Sequence, residues 1–466
     1  MNLSKKYPNN IFFVGIGGSG MSGLAEVLFN LGYTVCGSDI KMTQITERLS
    51  SLGIKTFNGH KASNIQEADM IVKSAAIEDN NPELLEAQKL SLPILDRAEL
   101  LSSLMNMKRG IAVAGTHGKT TTTSLLASIM TEAMLDPTFI NGGIIKSFSS
   151  NAKLGAGEYL IAEADESDKS FLALQPSLEI ITNIDDDHLV NYQNDMHNLE
   201  KAFLSFIKKL PFNGLLIACG DDPVIKKLAP LFTRRTIFYG FEETNDYVIR
   251  NYKTEELTSQ FTLWNHEGKS FDLKLNLFGK HNVLNATASS VLALEEGISL
   301  LNIQTALEKF SGINRRMQLL GRLDKTYLID DYGHHPTEIK STIQALRESF
   351  PKEKITMVFQ PHRFSRTRDL FKRFVEVLLM VDKLILLEIY SAGEEPLKEV
   401  SSEKLLKHIK EMGSKNSELA GSKEEAIKII KSSILNEGGV LLIQGAGNIS
   451  DISEILTKQL RENGRN

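Results

Sequence analysis

The sequence predicts an α/β protein of three domains, each built around a mostly parallel sheet. Length is the first observation, because 466 residues correspond to about three domains at roughly 150 residues each. The second is the alternation of short apolar runs with helix-length amphipathic stretches, which is typical of parallel sheets covered on both faces. The third is a pair of breaks near residues 106–109 and 319–323, which predict domains at 1–107, 108–320 and 321–466.

Composition and charge exclude several classes of protein. The 53 basic and 58 acidic side chains leave a formal net charge of −5, so no broad basic field for nucleic acid is present. Only Cys36 and Cys219 could form disulfides or bind zinc through sulfur, which excludes a disulfide framework and a zinc ribbon. The sequence has no uninterrupted apolar run of about 18 residues, and residues 1–10 lack the apolar core of a signal peptide. We therefore expect a cytoplasmic monomer or homodimer that neither enters membranes nor binds nucleic acid.

Predicted strands follow the apolar runs, and predicted helices follow the amphipathic stretches between them. In the first domain the strands are expected at 11–14, 34–37 and 70–72, with a helix at 21–31. In the second domain they are expected at 111–114, 159–162, 180–184 and 215–218, with a helix at 121–134. In the third they are expected at 327–329, 355–359, 383–387 and 440–444. Residues 247–277 alternate apolar and polar side chains around a turn at 265–268, which predicts an antiparallel edge on the middle sheet.

A glycine-rich turn follows the first predicted strand. Residues 15–20 fit the pattern G-x-G-x-x-G and open a helix, and the next strand ends at Asp39. Such a turn lets backbone amides approach a diphosphate at a helix N-terminus, while the acid bonds a ribose hydroxyl. The same amides could hold NAD or a UDP-sugar, and a tight turn without a ligand is the structural alternative.

A second glycine-rich loop follows the first strand of the middle domain. Residues 115–121 (GTHGKTT) resemble a phosphate-binding loop that is two residues shorter than G-x-x-x-x-G-K-[ST]. Its amides can wrap phosphate oxygens, the Lys119 ammonium can neutralise the β- and γ-phosphates, and the Thr120 hydroxyl can reach Mg²⁺. The loop therefore predicts ATP binding.

Two acidic segments follow further strands of the middle domain, residues 163–168 (EADESD) and 185–188 (DDDH). Acids at the carboxyl ends of neighbouring parallel strands face the phosphate loop, and Mg²⁺ prefers such oxygen ligands. A solvated acidic turn is the alternative for each segment.

The third domain has a basic segment after its second predicted strand, residues 360–367 (QPHRFSRT), followed by a basic helix at 368–373. Three cationic groups at a strand end suit an amino-acid carboxylate, which arginine binds through two parallel hydrogen bonds. Contact with nucleic acid and a solvated basic helix are the alternatives.

Taken in order, the motifs GIGGSGMSG, AGTHGKTTT, EADESD, DDYGHHPTE and QPHRFSRT resemble the Mur ligase family over nearly the whole chain. Members of this family are ATP-dependent enzymes that add amino acids to a UDP-linked muramic acid. The resemblance implies an N-terminal Rossmann-like UDP-binding domain, a central ATPase-like domain and a C-terminal Rossmann-like domain that binds the amino acid. It also implies UDP-N-acetylmuramate, L-alanine and ATP as substrates, with a requirement for Mg²⁺.

Motif chemistry and the resemblance together assign the site residues. The sugar nucleotide would contact Gly17, Gly18, Ser19, Gly20, Met21, Asp39 and Ser74. ATP would contact Gly115, Thr116, His117, Gly118, Lys119, Thr120, Thr121, His281, Asn282, Asn285, Arg316 and Asp331. The ligands of Mg²⁺ would be Thr120, Glu163 and His188. The amino acid would contact Tyr332, His334, His362, Arg363 and Arg366, of which the last four would act in catalysis together with Lys119.

Two assignments have qualifications in the sequence itself. Arg315 stands beside Arg316 and is an alternative for the same role. Val190 occupies a position where the family frequently has an acid, so any role of that acid is absent here.

Three other functions are compatible with parts of the sequence. A recycling ligase of the same family would join a preformed tripeptide to UDP-N-acetylmuramate, although its first glycine turn usually differs from GIGGSGMSG. An NAD-dependent oxidoreductase would explain the first turn but not the second loop and its acids. A non-catalytic nucleotide-binding module would bind ATP without releasing phosphate.

Overall fold

The computed structural model describes residues 8–463, apart from the side chains of Ser19, Ser433, Asn436, Arg461, Glu462 and Asn463. The chain forms two compact units. The first contains the described residues up to Tyr252 together with Gln260–Asn276 and Leu284–Ser311. The second contains Lys253–Ser259, Leu277–Val283 and the described residues from Gly312 onward.

The strands, in chain order, are β1 (Asn10–Val14), β2 (Thr34–Asp39), β3 (Lys55–Asn58), β4 (Met70–Lys73), β5 (Ile94–Asp96), β6 (Arg109–Ala114), β7 (Thr138–Ile145), β8 (Ser150–Lys153), β9 (Tyr159–Glu163), β10 (Leu178–Ile181), β11 (Leu215–Cys219), β12 (Arg235–Gly240), β13 (Tyr247–Glu255), β14 (Thr258–Asn265), β15 (Ser270–Leu275), β16 (Gln318–Leu323), β17 (Thr326–Asp331), β18 (Ile355–Phe359), β19 (Lys383–Leu387), β20 (Ser417–Ala420) and β21 (Gly439–Gln444).

The α-helices are α1 (Ser19–Asn30), α2 (Gln44–Ser51), α3 (Pro82–Lys89), α4 (Arg97–Asn106), α5 (Lys119–Glu132), α6 (Met196–Ile207), α7 (Pro223–Leu228), α8 (Lys280–Glu295), α9 (Leu300–Lys309), α10 (Pro336–Ser349), α11 (Phe364–Asp369), α12 (Phe371–Leu378), α13 (Ser402–Glu411), α14 (Lys423–Ile429), α15 (Leu435–Glu437) and α16 (Ser450–Asn463). None of the helices between residues 8 and 463 has the length and apolar character that crossing a bilayer requires.

The first sheet has five parallel strands in the order β3-β2-β1-β4-β5. Its central strand β1 is apolar on both faces, and Phe12, Phe13 and Val14 are completely buried, as expected for a strand covered on both sides. From β1 the chain continues to β2 and β3 on one side of the sheet, and it then crosses to β4 and β5 on the other side. The carboxyl end of β1 is therefore a topological switch point, where open α/β sheets bind ligands.

The second sheet has ten strands in the order β15-β14-β13-β12-β11-β10-β6-β9-β7-β8. Strand β6 pairs in parallel with β10 on one side and β9 on the other, so its carboxyl end is a second switch point. Strands β13, β14 and β15 are joined by connections of two and four residues, too short for a parallel crossover. The predicted antiparallel edge is therefore present, with its turn closed by the Gly268 amide, which donates to the Asn265 carbonyl over 3.0 Å.

The third sheet, in the second unit, has six strands in the order β16-β17-β21-β18-β19-β20. Only its first pair, β16 with β17, is antiparallel among the pairings of this sheet in residues 8–463. Apolar clusters cover both faces, one centred on Ile339, Met357 and Phe374 and the other on Val358, Ile385 and Ile443. Three sheets flanked by helices confirm the predicted α/β class.

Two predicted elements differ from the structure. The strand predicted at 180–184 is β10, which ends at Ile181, and the side chains of Thr182 and Asn183 just beyond it bond to the second glycine loop. The basic helix predicted at 368–373 is two helices, since α11 ends at Asp369 and α12 begins at Phe371.

Candidate active site

The first glycine turn is held by the strand next to it. The amides of Gly15 and Ile16 donate to the Ser38 carbonyl over 2.9 and 3.0 Å, and the Gly17 amide donates to Asp39 Oδ2 over 2.9 Å. A Cβ on Gly17 would lie 2.8 Å from that carboxylate oxygen, so the close approach requires glycine. The Asp39 carboxylate is thus fixed against the turn through Oδ2.

The other residues assigned to this turn lie beside it. Helix α1 begins at Ser19, whose side chain is outside the described part of the structure, and Gly18 caps it without a side-chain bond. The first-turn amides of such a helix have no intrahelical acceptor and can bind an anion. Met21 is buried, so it packs in the core below the turn. The Ser74 amide donates to the Val14 carbonyl, which brings this residue from the end of β4 to the same place.

Arg97 is a neighbour of this turn that the sequence motifs do not reveal. It begins α4, and its Nη1 would lie 3.1 Å from a Cβ on Gly20. Its Nη2 donates to Ser170 Oγ over 3.0 Å and lies 3.9 Å from Asp168 Oδ2. The guanidinium therefore links the glycine turn to the acidic segment 163–168, although it lies outside both motifs.

The second glycine loop connects β6 to α5. Gly115 and Gly118 have φ values of 128° and 85°, in the left-handed region that glycine tolerates. The Asn183 side chain holds the loop from below: its Oδ1 accepts from the His117 amide over 2.8 Å, and its Nδ2 donates to the His117 carbonyl over 2.9 Å. Thr182 Oγ1 donates to the same carbonyl over 2.6 Å. These two residues beyond the end of β10 set the shape of the loop, and the sequence pattern did not reveal them, because it placed both inside the strand predicted at 180–184.

Lys119 lies inside this loop. Its Nζ donates to the carbonyls of Gly115 and Thr116 over 2.6 and 3.2 Å and to Glu166 Oε2 over 2.6 Å. Burial lowers the pKa of a lysine, but the carboxylates of Glu166 and Asp165 outweigh burial and raise the pKa of Lys119 above its ordinary value. The ammonium is therefore charged, as neutralisation of a phosphate requires.

Three further residues assigned to ATP lie against the loop in the same unit. Thr120 and Thr121 are buried in the first turn of α5. Asn285 lies on the opposite side, since a Cβ on Gly118 would come within 2.5 Å of its Oδ1. The loop has no space for a larger residue at that glycine.

The predicted magnesium ligands differ in the kind of atom that each could offer to the ion. Glu163 Oε1 accepts from the Gly142 amide over 2.8 Å, while Oε2 has no hydrogen-bond donor within residues 8–463. His188 has a φ of 57° and lies 3.5 Å through Nε2 from Asp187 Oδ2. An open carboxylate oxygen, a threonine hydroxyl and an imidazole form a donor set that fits Mg²⁺ only through its oxygens. Glu163 and Thr120 therefore fit the ion better than His188 does.

A third candidate region lies in the second unit, where β17 ends at Asp331. Its Oδ2 accepts from the Met317 amide over 2.8 Å, and its Oδ1 accepts from the Gly333 amide and Gln444 Nε2 over 2.9 and 3.0 Å. Burial raises the pKa of Asp331 even though these bonds favour its charged form. Both oxygens are engaged within the unit, so the carboxylate fixes the local backbone.

The two neighbouring arginines have different surroundings. Arg315 donates through Nη2 to the Gly445 carbonyl and lies 3.6 Å from buried Asp330. Arg316 Nη1 lies 3.7 Å from Glu338 Oε1, and its side chain is 30% exposed. Both guanidinium groups face the ring of Tyr332, at 5.1 and 5.0 Å. Arg315 is tied into the fold, which favours Arg316 as the residue that reaches a ligand.

Two residues assigned to ATP precede this region. Burial lowers the pKa of His281 to about 4, so its imidazole is neutral. Asn282 donates through Nδ2 to the Phe278 carbonyl over 2.9 Å. The amide of Asn282 therefore serves the local backbone at the start of α8.

A row of four rings lines the carboxyl edge of the third sheet. Ring centroids are 5.5 Å apart for Tyr332 and His334, 5.4 Å for His334 and His362, and 5.5 Å for His362 and Tyr390. Tyr390 follows β19 and was not predicted, because nothing near it in the sequence resembles a motif. Its neighbour in this row, His362, belongs to a segment about thirty residues earlier, and the contact depends on the parallel pairing of β18 with β19.

Arg363 and Arg366 follow β18, the strand that also precedes His362. Arg363 has a φ of 73°, and its amide donates to the Tyr390 carbonyl over 2.8 Å. Its exposed guanidinium forms no hydrogen bond with another residue in the range 8–463. A non-glycine residue held at a positive φ is a recurrent feature of binding sites, and the Arg363 charge also contributes to lowering the pKa of the nearby Glu394 carboxyl.

Comparison with known proteins connects these regions. Three family models match consecutive parts of the chain: "Mur ligase family, catalytic domain" at residues 10–109, "Mur ligase middle domain" at 113–293 and "Mur ligase, glutamate ligase domain" at 315–447. Together they include the two glycine loops, both acidic segments and the ring row.

Solved structures resemble the chain over most of its length. A UDP-N-acetylmuramate-alanine ligase from Thermotoga maritima is 30% identical with a TM-score of 0.84, covering 98% of this chain and 100% of that one. A murein peptide ligase from Psychrobacter arcticus is 23% identical with a TM-score of 0.71, covering 96% and 98%. A MurF ligase from Thermotoga maritima, solved with ADP, is 17% identical with a TM-score of 0.62, covering 92% and 95%. The last two similarities are of fold alone.

Proposed function

The chain belongs to the Mur ligase family, and from this premise we propose that it joins L-alanine to the lactyl carboxylate of UDP-N-acetylmuramate. Members of this family are ATP-dependent ligases that form amide bonds in peptidoglycan precursors. The observation that carries the choice of substrates is the whole-chain similarity to the alanine ligase of Thermotoga maritima, at 30% identity. The murein peptide ligase is less similar, at 23% identity.

Amide formation from a carboxylate needs activation, because oxide is not a leaving group. In the proposed reaction the lactyl carboxylate attacks the γ-phosphorus of ATP, which forms an acyl phosphate and releases ADP. The neutral amine of alanine then attacks the acyl carbon, and the tetrahedral intermediate collapses with loss of phosphate. Each step forms one bond to the reacting centre and breaks one, and the proton that the amine nitrogen loses is released together with phosphate.

The residues of this chain would divide the work between its two units. In the first, the glycine turn would hold the diphosphate of the sugar nucleotide, and Lys119 would offset the charge on the transferred phosphoryl group. In the second, Arg363 and Arg366 would bind the alanine carboxylate beside the ring row. Thr120 and Glu163, with His188 as a further candidate, would hold Mg²⁺, which neutralises phosphate charge when bound.

We also propose the organisation predicted from the sequence, with domains at 1–107, 108–320 and 321–466, a cytoplasmic location and a monomeric or dimeric state. Family membership removes the oxidoreductase hypothesis, because members of the family are ligases. The recycling ligase remains the competing assignment within the family.

The deciding experiment measures phosphate release from ATP and Mg²⁺ with UDP-N-acetylmuramate, comparing L-alanine, the tripeptide and no acceptor. We expect release that depends on L-alanine, with UDP-N-acetylmuramoyl-alanine identified by mass spectrometry. A Lys119→Ala variant should reduce that release by about 100-fold, the order of effect of removing a group that stabilises transition-state charge. Release only with the tripeptide would assign the chain to the recycling branch, and no acceptor-dependent release would contradict both assignments.

A further inference from the structure

The ammonium of Lys119 has its hydrogen-bonding capacity filled within the protein. An ammonium has three protons, and Nζ has three acceptors: the Gly115 carbonyl, the Thr116 carbonyl and Glu166 Oε2. A phosphate that binds this lysine must therefore replace one of them. The two carbonyls belong to the loop itself, whereas Glu166 is the acceptor that carries a charge.

Glu166 is buried, and only one of its two carboxylate oxygens has a hydrogen-bond partner within residues 8–463. Its side chain is 1% exposed and that of Lys119 is 15% exposed, so the ion pair is shielded from water. Oε1 is buried without a hydrogen-bond partner within residues 8–463. Burial raises the pKa of Glu166 to about 7 in spite of the adjacent lysine, which agrees with a carboxylate that depends on one partner. Separating such a pair leaves a buried carboxylate without its cation, so it opposes the binding of another anion to Lys119.

The position of Glu166 is fixed from behind. The Tyr192 hydroxyl donates to the Glu166 carbonyl over 2.6 Å, and the Lys169 amide donates to the same oxygen over 3.1 Å. Tyr192 is itself buried, at 1% exposure. The pairing with Lys119 is therefore built into the fold and differs from an exposed ion pair, whose partners are free to rearrange.

We propose that Glu166 is a positioning residue that holds the Lys119 ammonium in the nucleotide-free loop and gives it up to the phosphates of ATP. The pair keeps the lysine in the loop before nucleotide arrives, and nucleotide binding must break it. Glu166 thereby lowers the affinity for ATP while it keeps Lys119 inside the loop until ATP arrives. The inference rests on the ATP-dependent part of the proposed function and is independent of the amino acid that is joined.

The test measures binding of a non-hydrolysable ATP analogue with Mg²⁺ by calorimetry, in the absence of UDP-sugar and amino acid. Glu166→Gln removes the competing charge at constant size, and we expect the analogue to bind about tenfold more tightly, the order of effect of one hydrogen bond to a charged group. In turnover assays KM for ATP should fall with little change in kcat, because Glu166 has already released the lysine once ATP is bound. Glu166→Asp keeps the charge and should restore affinity towards the wild-type value.

A second buried glutamate, in the ten-stranded sheet, supplies the control. Glu179 in β10 is fully buried, and neither of its oxygens has a hydrogen-bond partner within residues 8–463. Glu179→Gln should leave the affinity for the analogue unchanged. Unchanged or weaker binding by Glu166→Gln would overturn the proposal.

A second variant keeps the proposal open to contradiction should Glu166→Gln fail to fold. Tyr192→Phe removes only the hydroxyl that holds the Glu166 carbonyl, and we expect the analogue to bind more tightly, by less than in Glu166→Gln. Weaker or equal binding there overturns the proposal as well. Because no acceptor is present, failure of the alanine assignment would leave these binding results intact.

Discussion

At the scale of single residues, Arg363 combines a backbone of positive φ with an exposed cationic side chain. Its backbone is held at a φ of 73°, which costs about 1 kcal/mol or more for a non-glycine residue. Its guanidinium receives no compensation from a hydrogen bond within residues 8–463. A strained backbone that carries an exposed cation supports the proposal that Arg363 binds the carboxylate of alanine.

Replacing Arg363 tests this assignment. Arg363→Lys keeps the charge but loses the two parallel hydrogen bonds, so KM for L-alanine should rise about tenfold with little change in kcat. Steady-state kinetics with varied L-alanine measures the effect. Arg368→Ala is the matched control, because Arg368 is exposed on the same segment and pairs with Asp369. Equal KM values for wild type and Arg363→Lys would remove Arg363 from the amino-acid site.

At the scale of secondary-structure elements, the early end of β10 is what shapes the phosphate loop. The strand ends at Ile181, although the Thr182 amide still donates to the Ala114 carbonyl over 3.1 Å and the Asn183 carbonyl accepts from the Thr116 amide over 3.0 Å. The side chains of both residues also bond to the backbone of the loop. The position of an element boundary thus determines the geometry of a binding loop that is distant in sequence.

Asn183→Ala is therefore expected to affect nucleotide binding. The substitution removes the two hydrogen bonds to the backbone of His117, so the loop is less ordered before ATP binds. We expect KM for ATP to rise about tenfold, the equivalent of one to two hydrogen bonds. Asn276→Ala loses a comparable bond, from Nδ2 to the Phe310 carbonyl, and should leave KM for ATP unchanged. Similar KM values in all three proteins would show that Asn183 does not shape the loop.

Strands were predictable where apolar runs mark burial on both faces, as in β18 and β19. Strand β7 was not predicted, because Asn141, Gly142 and Gly143 are residues typical of turns. The site explains their presence: a Cβ on Gly142 would lie 2.8 Å from Glu163 Oε2, and Asn141 donates to Ser124 Oγ in the buried interior. Where a strand serves the site, local propensity no longer predicts it.

Site residues could be predicted where they lie in a contiguous motif, but not where their contacts depend on how the strands pair. Lys119 and Glu163 lie in contiguous motifs, and the sequence alone was enough to propose them. The partner of Lys119 at Glu166 and the neighbour of His362 at Tyr390 depend on which strands pair in the sheets. Such contacts join distant segments, so a single sequence does not reveal them.

At the scale of the whole molecule, one buried carboxyl should make the stability of the fold depend on pH. Burial raises the pKa of Glu179 well above its ordinary value, and Arg234 offsets this only in part. A group whose pKa is raised by folding keeps its proton in the folded protein and loses it on unfolding. Its contribution to stability is therefore complete below the unfolded pKa, about 4.5, and declines as the pH rises above that value.

Glu179→Gln should remove this decline. We expect the free energy of unfolding of the variant to exceed that of the wild type by an amount that grows from pH 5 to pH 9. Urea denaturation at a series of pH values measures the difference. A constant difference across that range would mean that Glu179 ionises equally in both states.

The assignment of residues 277–283 to the second unit has a consequence for the exchange of parts between related enzymes. Phe278 is 2% exposed in the core of that unit, with its ring 6.4 Å from the ring of Phe350. These residues are separated in the chain from the rest of the unit, which resumes at Gly312. A chimera that took only residues 321–466 from a relative would combine a foreign core with the native Phe278, and the two surfaces would not match in shape. Recombination that preserves the fold must therefore transfer three separate stretches of the gene together, at residues 253–259, at 277–283 and from 312 onward.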